Sequence, residues 1–322
     1  MGSVLAITGP IYLIVAAGFL CTRAGLFARA DMRVFGKYVI NLALPALLFN
    51  ALSQRSVGEV LNAVFVAAYA GGSLIAMALG ILWARRVAGK SVSASAIVGM
   101  GMACSNSGFI GFPLVAQVFG AATAGVGLAL AMVVENFLLL PLALAIADSD
   151  LGDGVVTGTR AARWKAALAQ SMRGIVRNPM IHGIALGFVF SLFGWRLPEA
   201  VAKAVNIFAA SCAALSLFVI GGSLVGVAAK GMARDVAAVA FGKLLVHPLA
   251  VLALVLLLPP MARELQIAVV IMAAVPMLGI YPILAQKHGH DGMAAGAQAG
   301  TTVVSFFTLT ALLYGVQHWL SR

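Results

Sequence analysis

Glu135 and Lys243 each fall inside a long apolar run, where an ion is costly and is kept by a partner or by a function. His247 follows Lys243 by one helical turn. A carboxylate and an ammonium at such depth can offset each other's burial, carry a coupling proton or draw an anion. A second polar group, Ser105, Asn106 and Ser107, opens the stretch "SNSGFIGFPLVAQ". Its amide and hydroxyls can donate to a carboxylate; they can also bond neighbouring helices. Gly108, Gly111 and Pro113 make the same stretch a poor helix. No hydrolytic constellation accompanies these residues: there is no HExxH and no intramembrane aspartate pair, and no Ser or Cys nucleophile is identifiable beside Lys243 and His247. Asp148, Asp150 and Asp153 lie outside the apolar runs. Cys21, Cys104 and Cys212 lack metal-ligand spacing and read as inert apolar residues, so neither metal nor cofactor is expected and the chain is not read as an enzyme.

The elements that carry these residues are set by composition. Of 322 residues, 62% are apolar and 10% charged, and the mean hydropathy is +1.04, which marks an all-α integral membrane protein. A spanning helix needs about 20 mainly apolar residues. Windows meeting that test begin near Val4, Val34, Val60, Val92, Ala124, Pro179, Ala202, Asp235, Leu265 and Met293, so about ten spans are expected. The first window lacks a preceding Lys or Arg and a small-residue cleavage site, and is read as a retained helix. On this assignment 15 of the 21 basic residues fall on one side, which the retention of Lys and Arg makes cytoplasmic. Both termini are then outside, in the inner (plasma) membrane, and the 148–177 loop is inside. The net charge of +11 is scattered over short loops and excludes a nucleic-acid face. Within the long loop, Trp164, Leu168 and Met172 have the spacing of a short surface helix.

That loop divides the chain at 1–147, 148–177 and 178–322. "FPLVAQ" from Phe112 matches "YPILAQ" from Tyr281 position by position, and "VVENFLLL" from Val133 recurs loosely as "VVSFFTLT" from Val303. Five spans per copy force the second copy to insert upside down, the inverted repeat found in secondary transporters. The matching segments are expected to be helices 4 and 9, broken in mid-membrane: one around Pro113, the other around Pro276, Gly279 and Pro282. Broken backbone at that depth must line a cavity or lie within protein. Half-helices starting near Leu114 and Ile283 would aim positive dipole ends at the crossing, which favours a carboxylate. Asn41 and Asn50 flank Pro45, a third break, and can face the same substrate or pack. His182 is expected at the interface.

"NLALPALLFNAL" from Asn41, "SNSGFIGFPLV" from Ser105, "GKLLVHPL" from Gly242 and the Pro-Gly-Pro break of "VPMLGIYP" resemble the auxin efflux carrier family, which includes the plant PIN exporters and bacterial carriers proposed for malonate. The resemblance covers essentially the whole chain. It implies an NhaA-like, PIN-like fold with a scaffold (spans 1, 2, 6 and 7) and a transport domain (spans 3–5 and 8–10), homodimers, elevator movement and organic-anion transport. Asn106 takes the place of the family's crossing asparagine. The expected substrate-binding set is therefore Ser105, Asn106, Ser107, Gly108, Pro113, Asn41, Asn50, Pro276, Gly279, Tyr281 and Pro282. Glu135, Lys243 and His247 form a coupling or ion-pair set. The partners are a small organic anion, the bilayer and a second copy. A sodium-coupled carrier related to the bile acid symporters, or a channel or sensor on the same fold, are the alternatives.

Overall fold

A computed structural model describes residues 2–54, 61–149, 178–226 and 233–320. Every described regular element is helical. Among the described residues, six helical stretches are long and apolar enough to cross a bilayer: Arg29–Ser53, Ala63–Arg86, Ser107–Asp148, Glu199–Ser223, Ala233–Leu257 and Asp291–Val316. Shorter apolar helices cover Thr8–Arg23, Val92–Ala103 and Pro179–Phe193. The surface helix expected around Trp164 lies outside the described residues.

The elements run as α1 (Gly2–Arg23), α2 (Arg29–Tyr38), α3 (Leu44–Ser53), α4 (Ala63–Arg86), α5 (Val92–Ala103), α6 (Phe112–Val134), α7 (Leu140–Asp148), α8 (Pro179–Phe193), α9 (Glu199–Ser223), α10 (Ala233–Phe241), α11 (His247–Leu257), α12 (Arg263–Ala274), α13 (Tyr281–Gln286) and α14 (Asp291–Leu320). Polar residues start several of them: the side chains of Asn62, Ser91 and Asn178 accept the N–H groups of Phe65, Ala94 and Met180, filling donors that no helical carbonyl reaches. Gly194, left-handed at φ 62°, ends α8. At Gly120, with φ 85° and ψ 164°, the backbone leaves the helix inside α6, separating 112–119 from 121–134.

Four prolines share one device. A five-residue π turn precedes Pro45 (Val39–Ala43), Pro113 (Ser107–Gly111), Pro141 (Glu135–Leu139) and Pro248 (Gly242–Val246). In each, the residue before the proline donates five residues back: Leu44 to Val39, Phe112 to Ser107, Leu140 to Glu135 and His247 to Gly242. A proline ring clashes with the carbonyl four residues before it and offers it no N–H. Widening the preceding turn moves that carbonyl aside, and the helix continues. Where the carbonyl is Phe109 O, the hydroxyl of Ser216 on α9 donates to it at 3.2 Å.

Packing places α5 and α12 at the centre: from Ser93 to Ala103 and from Ile267 to Ala274 every residue is buried. A helix apolar on all sides belongs in such a place. Around them α4 packs on α5 and α11, α12 on α6, and α14 on α10 and α13. A second group joins α1 to α9 and α3 to α8 and α9. Glycine permits the closest approaches. A Cβ on Gly221 would stand 1.8 Å from the Val15 carbonyl, and one on Gly18 would stand 2.1 Å from that of Phe218. The two groups meet where a Cβ on Gly125 would strike Ala51 at 2.0 Å and where Tyr12 Oη lies 3.2 Å from Ser305 Oγ.

Candidate functional site

The break in the helix ending at Ala103 lies at 104–106, upstream of the turn expected around Pro113. Cys104 is extended at φ −88° and ψ 127°, and Ser105 forms an isolated antiparallel bridge with Met277. Asn106 N donates to Pro276 O at 2.8 Å. The second break spans 275–280, between Ala274 and Tyr281. Two short extended segments thus cross by backbone hydrogen bonds at the protein's centre. The following helical segments begin at Ser107 and Tyr281 instead of Leu114 and Ile283. The reason is local. Asn106 starts a helical segment by accepting Phe109 N on its side chain at 3.3 Å, and the π turn then absorbs Pro113, whose missing N–H leaves Phe109 O to the hydroxyl of Ser216. Pro282 stands in the first turn of α13, where its missing N–H costs nothing.

Glu135 opens one π turn and Lys243 stands second in another, both fully or almost fully buried. Glu135 Oε1 accepts from Tyr69 Oη at 2.6 Å, Ser107 Oγ at 2.8 Å and Ser105 N at 3.1 Å. Lys243 Nζ donates to Ala273 O at 2.6 Å and Ser105 Oγ at 2.8 Å, and lies 2.9 Å from His247 Nδ1. The two ions do not touch; Ser105 stands between them, its N–H on the carboxylate and its hydroxyl on the ammonium. Each also sits at a helix end of opposite sign. Ala273 O belongs to the last turn of α12, where carbonyls lack helical donors, and Glu135 faces the start of the segment from Ser107. An ammonium can only donate, so His247 Nδ1 accepts, and Nε2 carries the proton toward Ser73 Oγ, 2.8 Å away. Ser73 is a hydroxyl beside this pair that the sequence alone did not identify. It is fully buried, as both partners are, so no substrate reaches it.

The other expected residues divide. Around Gly279 the position of a Cβ lies 4.0 Å from Asn106 Nδ2 and 3.9 Å from Gln298 Nε2. Gln298 also donates to Gly279 O at 3.1 Å and Leu278 O at 3.3 Å, tying α14 to the break. Gly108 faces Leu44 of α3, with 3.2 Å from its Cβ position to Leu44 Cδ1. Tyr281 is wholly buried, its hydroxyl on Ile97 O at 2.9 Å. Asn41 Nδ2 bonds Lys37 O in its own helix, and Asn50 Nδ2 bonds Asn206 Oδ1; in neither case is the partner a crossing residue. His182 stands in the first turn of α8. Tyr69, Ser73 and Gln298 were not singled out from the sequence. Tyr69 and Ser73 stand one turn apart, as Lys243 and His247 do, and that paired spacing was the available signal.

At the end of α7, Asp148 Oδ1 receives Lys287 Nζ at 2.8 Å and lies 3.5 Å from His288 Nε2. The His288 side chain is enclosed and neither ring nitrogen has a hydrogen-bond partner among the described residues. Burial holds its pKa below the usual histidine value, against the opposing pull of Asp148. Among the described residues no group of three His, Cys, Asp or Glu side chains could hold a metal.

Comparison with known proteins agrees with a helical membrane transporter. A family model described as "Membrane transport protein" matches residues 4–314. A protein of Rhizobium meliloti (strain 1021) whose name proposes a malonate transporter is 24% identical over 319 residues, 98% of this chain and 96% of its own length. An uncharacterised transporter of Escherichia coli (strain K12) is 23% identical over 250 residues, 76% of this chain and 75% of its own. With the family model covering nearly its full length, the chain belongs to the membrane transport protein family of auxin efflux carriers and is a multi-pass membrane transporter, not an enzyme.

Proposed function

We propose that the protein is a secondary carrier of a small organic anion, working by alternating access of elevator type. The observation that carries this reading is the antiparallel crossing of Ser105 and Met277, with Asn106 bonded to Pro276 O and its Nδ2 turned toward Gly279. Unwound segments at such a crossing offer donors and helix ends to a carboxylate. Ser105, Ser107, Gly108, Pro113, Pro276 and Pro282 shape the crossing around Asn106, which makes the direct contact. The elements then make about ten crossings in two inverted repeats, 1–147 and 178–322, joined by the 148–177 loop. The scaffold comprises α1 to α3, α8 and α9; the remaining helices form the transport domain. Both termini face outward in the inner membrane, and two scaffolds pair as a homodimer.

Glu135, Lys243 and His247 hold the crossing rigid and carry the coupling charge. Their bonds run through Ser105, next to Asn106, so protonation of the carboxylate and occupation of the site act on the same short segment. Counterflow in proteoliposomes tests the carrier. Unlabelled carboxylate inside should accelerate uptake of labelled carboxylate, and Asn106→Ala should abolish the acceleration while the protein remains folded. Wild-type counterflow in Asn106→Ala removes that residue from the site. Flux without trans-acceleration identifies a channel.

A further inference from the structure

We infer that Ser216 is a positioning residue of the transport step: its hydroxyl docks the moving half-helix against the scaffold in this conformation and lets go when the domain slides. This rests on the elevator reading and adds a residue to it. The acceptor, Phe109 O, lies in a π turn, and the N–H that would close the helix on it is the one Pro113 lacks. Its donor at 3.2 Å comes from the scaffold instead, from a serine that is fully buried in α9. In apolar surroundings a carbonyl without a donor is costly. The proline thus makes one backbone group of the transport domain depend on one side chain of the scaffold. Tyr12 Oη and Ser305 Oγ, 3.2 Å apart, also span the two domains, but neither is a main-chain group opened by a proline.

The bond is built to release. Ser216 Oγ also lies 3.0 Å from Ala213 O in its own helix, so its proton keeps an acceptor when Phe109 O moves away. The surroundings do little to fix the register. A cavity of about 260 Å³, lined by Ala213 and Leu217 of α9, Pro113 and Gln117 of α6 and Ile11 of α1, parts the two domains beside this bond. Atoms facing a void have nothing to interlock with. Where the domains do touch, glycine turns a smooth face to the scaffold, Gly108 to Leu44 and Gly125 to Ala51. Apolar contact of this kind is non-directional and survives sliding, whereas a hydrogen bond stretched to about 3.6 Å is gone. The Ser216 hydroxyl therefore sets where along the scaffold the transport domain rests.

Pulsed electron paramagnetic resonance on the protein in lipid nanodiscs reads the resting place. Spin labels on Ala122→Cys and Arg196→Cys, at exposed positions of the transport domain and the scaffold, in a Cys21→Ser background, should report two distances, one of them that of this structure. Ser216→Ala should shift the ratio of the two by about tenfold away from this structure's distance. Pro113→Ala supplies the missing N–H, so in that background Ser216→Ala should shift the ratio by less than about twofold. An unchanged ratio in Ser216→Ala overturns the docking role and leaves the elevator standing. An equal shift in the Pro113→Ala background overturns it as well, because lost packing and not the freed carbonyl would then be the cause. One and the same distance in every variant, with and without malonate, overturns the elevator reading itself.

Discussion

Removing Lys243 should cost more than any exposed charge in the molecule, and removing Glu135 with it should add little to that loss. Lys243→Met leaves Ala273 O, Ser105 Oγ and His247 Nδ1 without their donor and leaves Glu135 buried without a countercharge. Each orphaned group costs about 1 to 3 kcal/mol, but they share one ion, and breaking a buried pair typically costs about 3 to 5 kcal/mol in all. We expect about 4. Glu135→Gln keeps an oxygen for Tyr69, Ser107 and Ser105 and loses only the charge, so about 2 kcal/mol is expected. Independent losses would sum to about 6 kcal/mol; the double variant should instead lose about 3 to 4, a coupling of about 2 to 3. Reversible unfolding in mixed micelles titrated with a denaturing detergent measures all three. Losses that add within about 0.5 kcal/mol would refute the mutual compensation. A double variant no less stable than Lys243→Met that lacks counterflow would assign the pair to coupling; one that also keeps counterflow would make it structural.

Gly221→Ala should destabilise by about 2 to 3 kcal/mol in the same assay, because its Cβ would meet the Val15 carbonyl at 1.8 Å; a loss below about 0.5 would show that α1 and α9 separate freely. Single cysteines at Arg196 and Arg86 test orientation, the first being open to an impermeant reagent in intact cells and the second protected; the reverse pattern inverts the topology. His288 is held neutral by burial, so its folded pKa is lowered. Its contribution is then present above the unfolded value of about 6.5 and is lost as pH falls below it. Stability should decline on acidification below that value, and His288→Asn should flatten the decline; an equal slope in the variant assigns the effect elsewhere.

The apolar runs and the existence of two breaks were legible in the sequence, because bilayer length and proline chemistry leave few alternatives. The place of the first break was not. Pro113 drew attention to itself, yet a proline disturbs the turn before it, and here the π turn absorbed the disturbance, so the chain stays helical from Ser107. The break at 104–106 is marked only by Asn106, whose capping role depends on which backbone donor is left open. Glu135 and Lys243 stood out because ions are rare in apolar runs. Tyr69, Ser73 and Gln298 did not, since a single hydroxyl or amide is common in an apolar helix, and only the one-turn spacing of Tyr69 and Ser73 set that pair apart. Asn41 and Asn50 flank a proline much as the crossing residues do, but their partners, Lys37 O and Asn206, are set by helix packing that sequence spacing does not reveal.

Each π turn amounts to one residue inserted into an α-helix. At 3.6 residues per turn, that insertion rotates everything beyond it by about 100°. Glu135 and Lys243 therefore owe their facing direction to chain length as well as to chemistry: counting from the proline, the extra residue sets the phase of one half-helix against the other. Substitutions within 135–139 or 242–246 keep that phase. Deleting a single residue from either turn would bring the proline back against the carbonyl it avoids, or swing the carboxylate or the ammonium about a quarter-turn away from Ser105, with every side chain of the network still present.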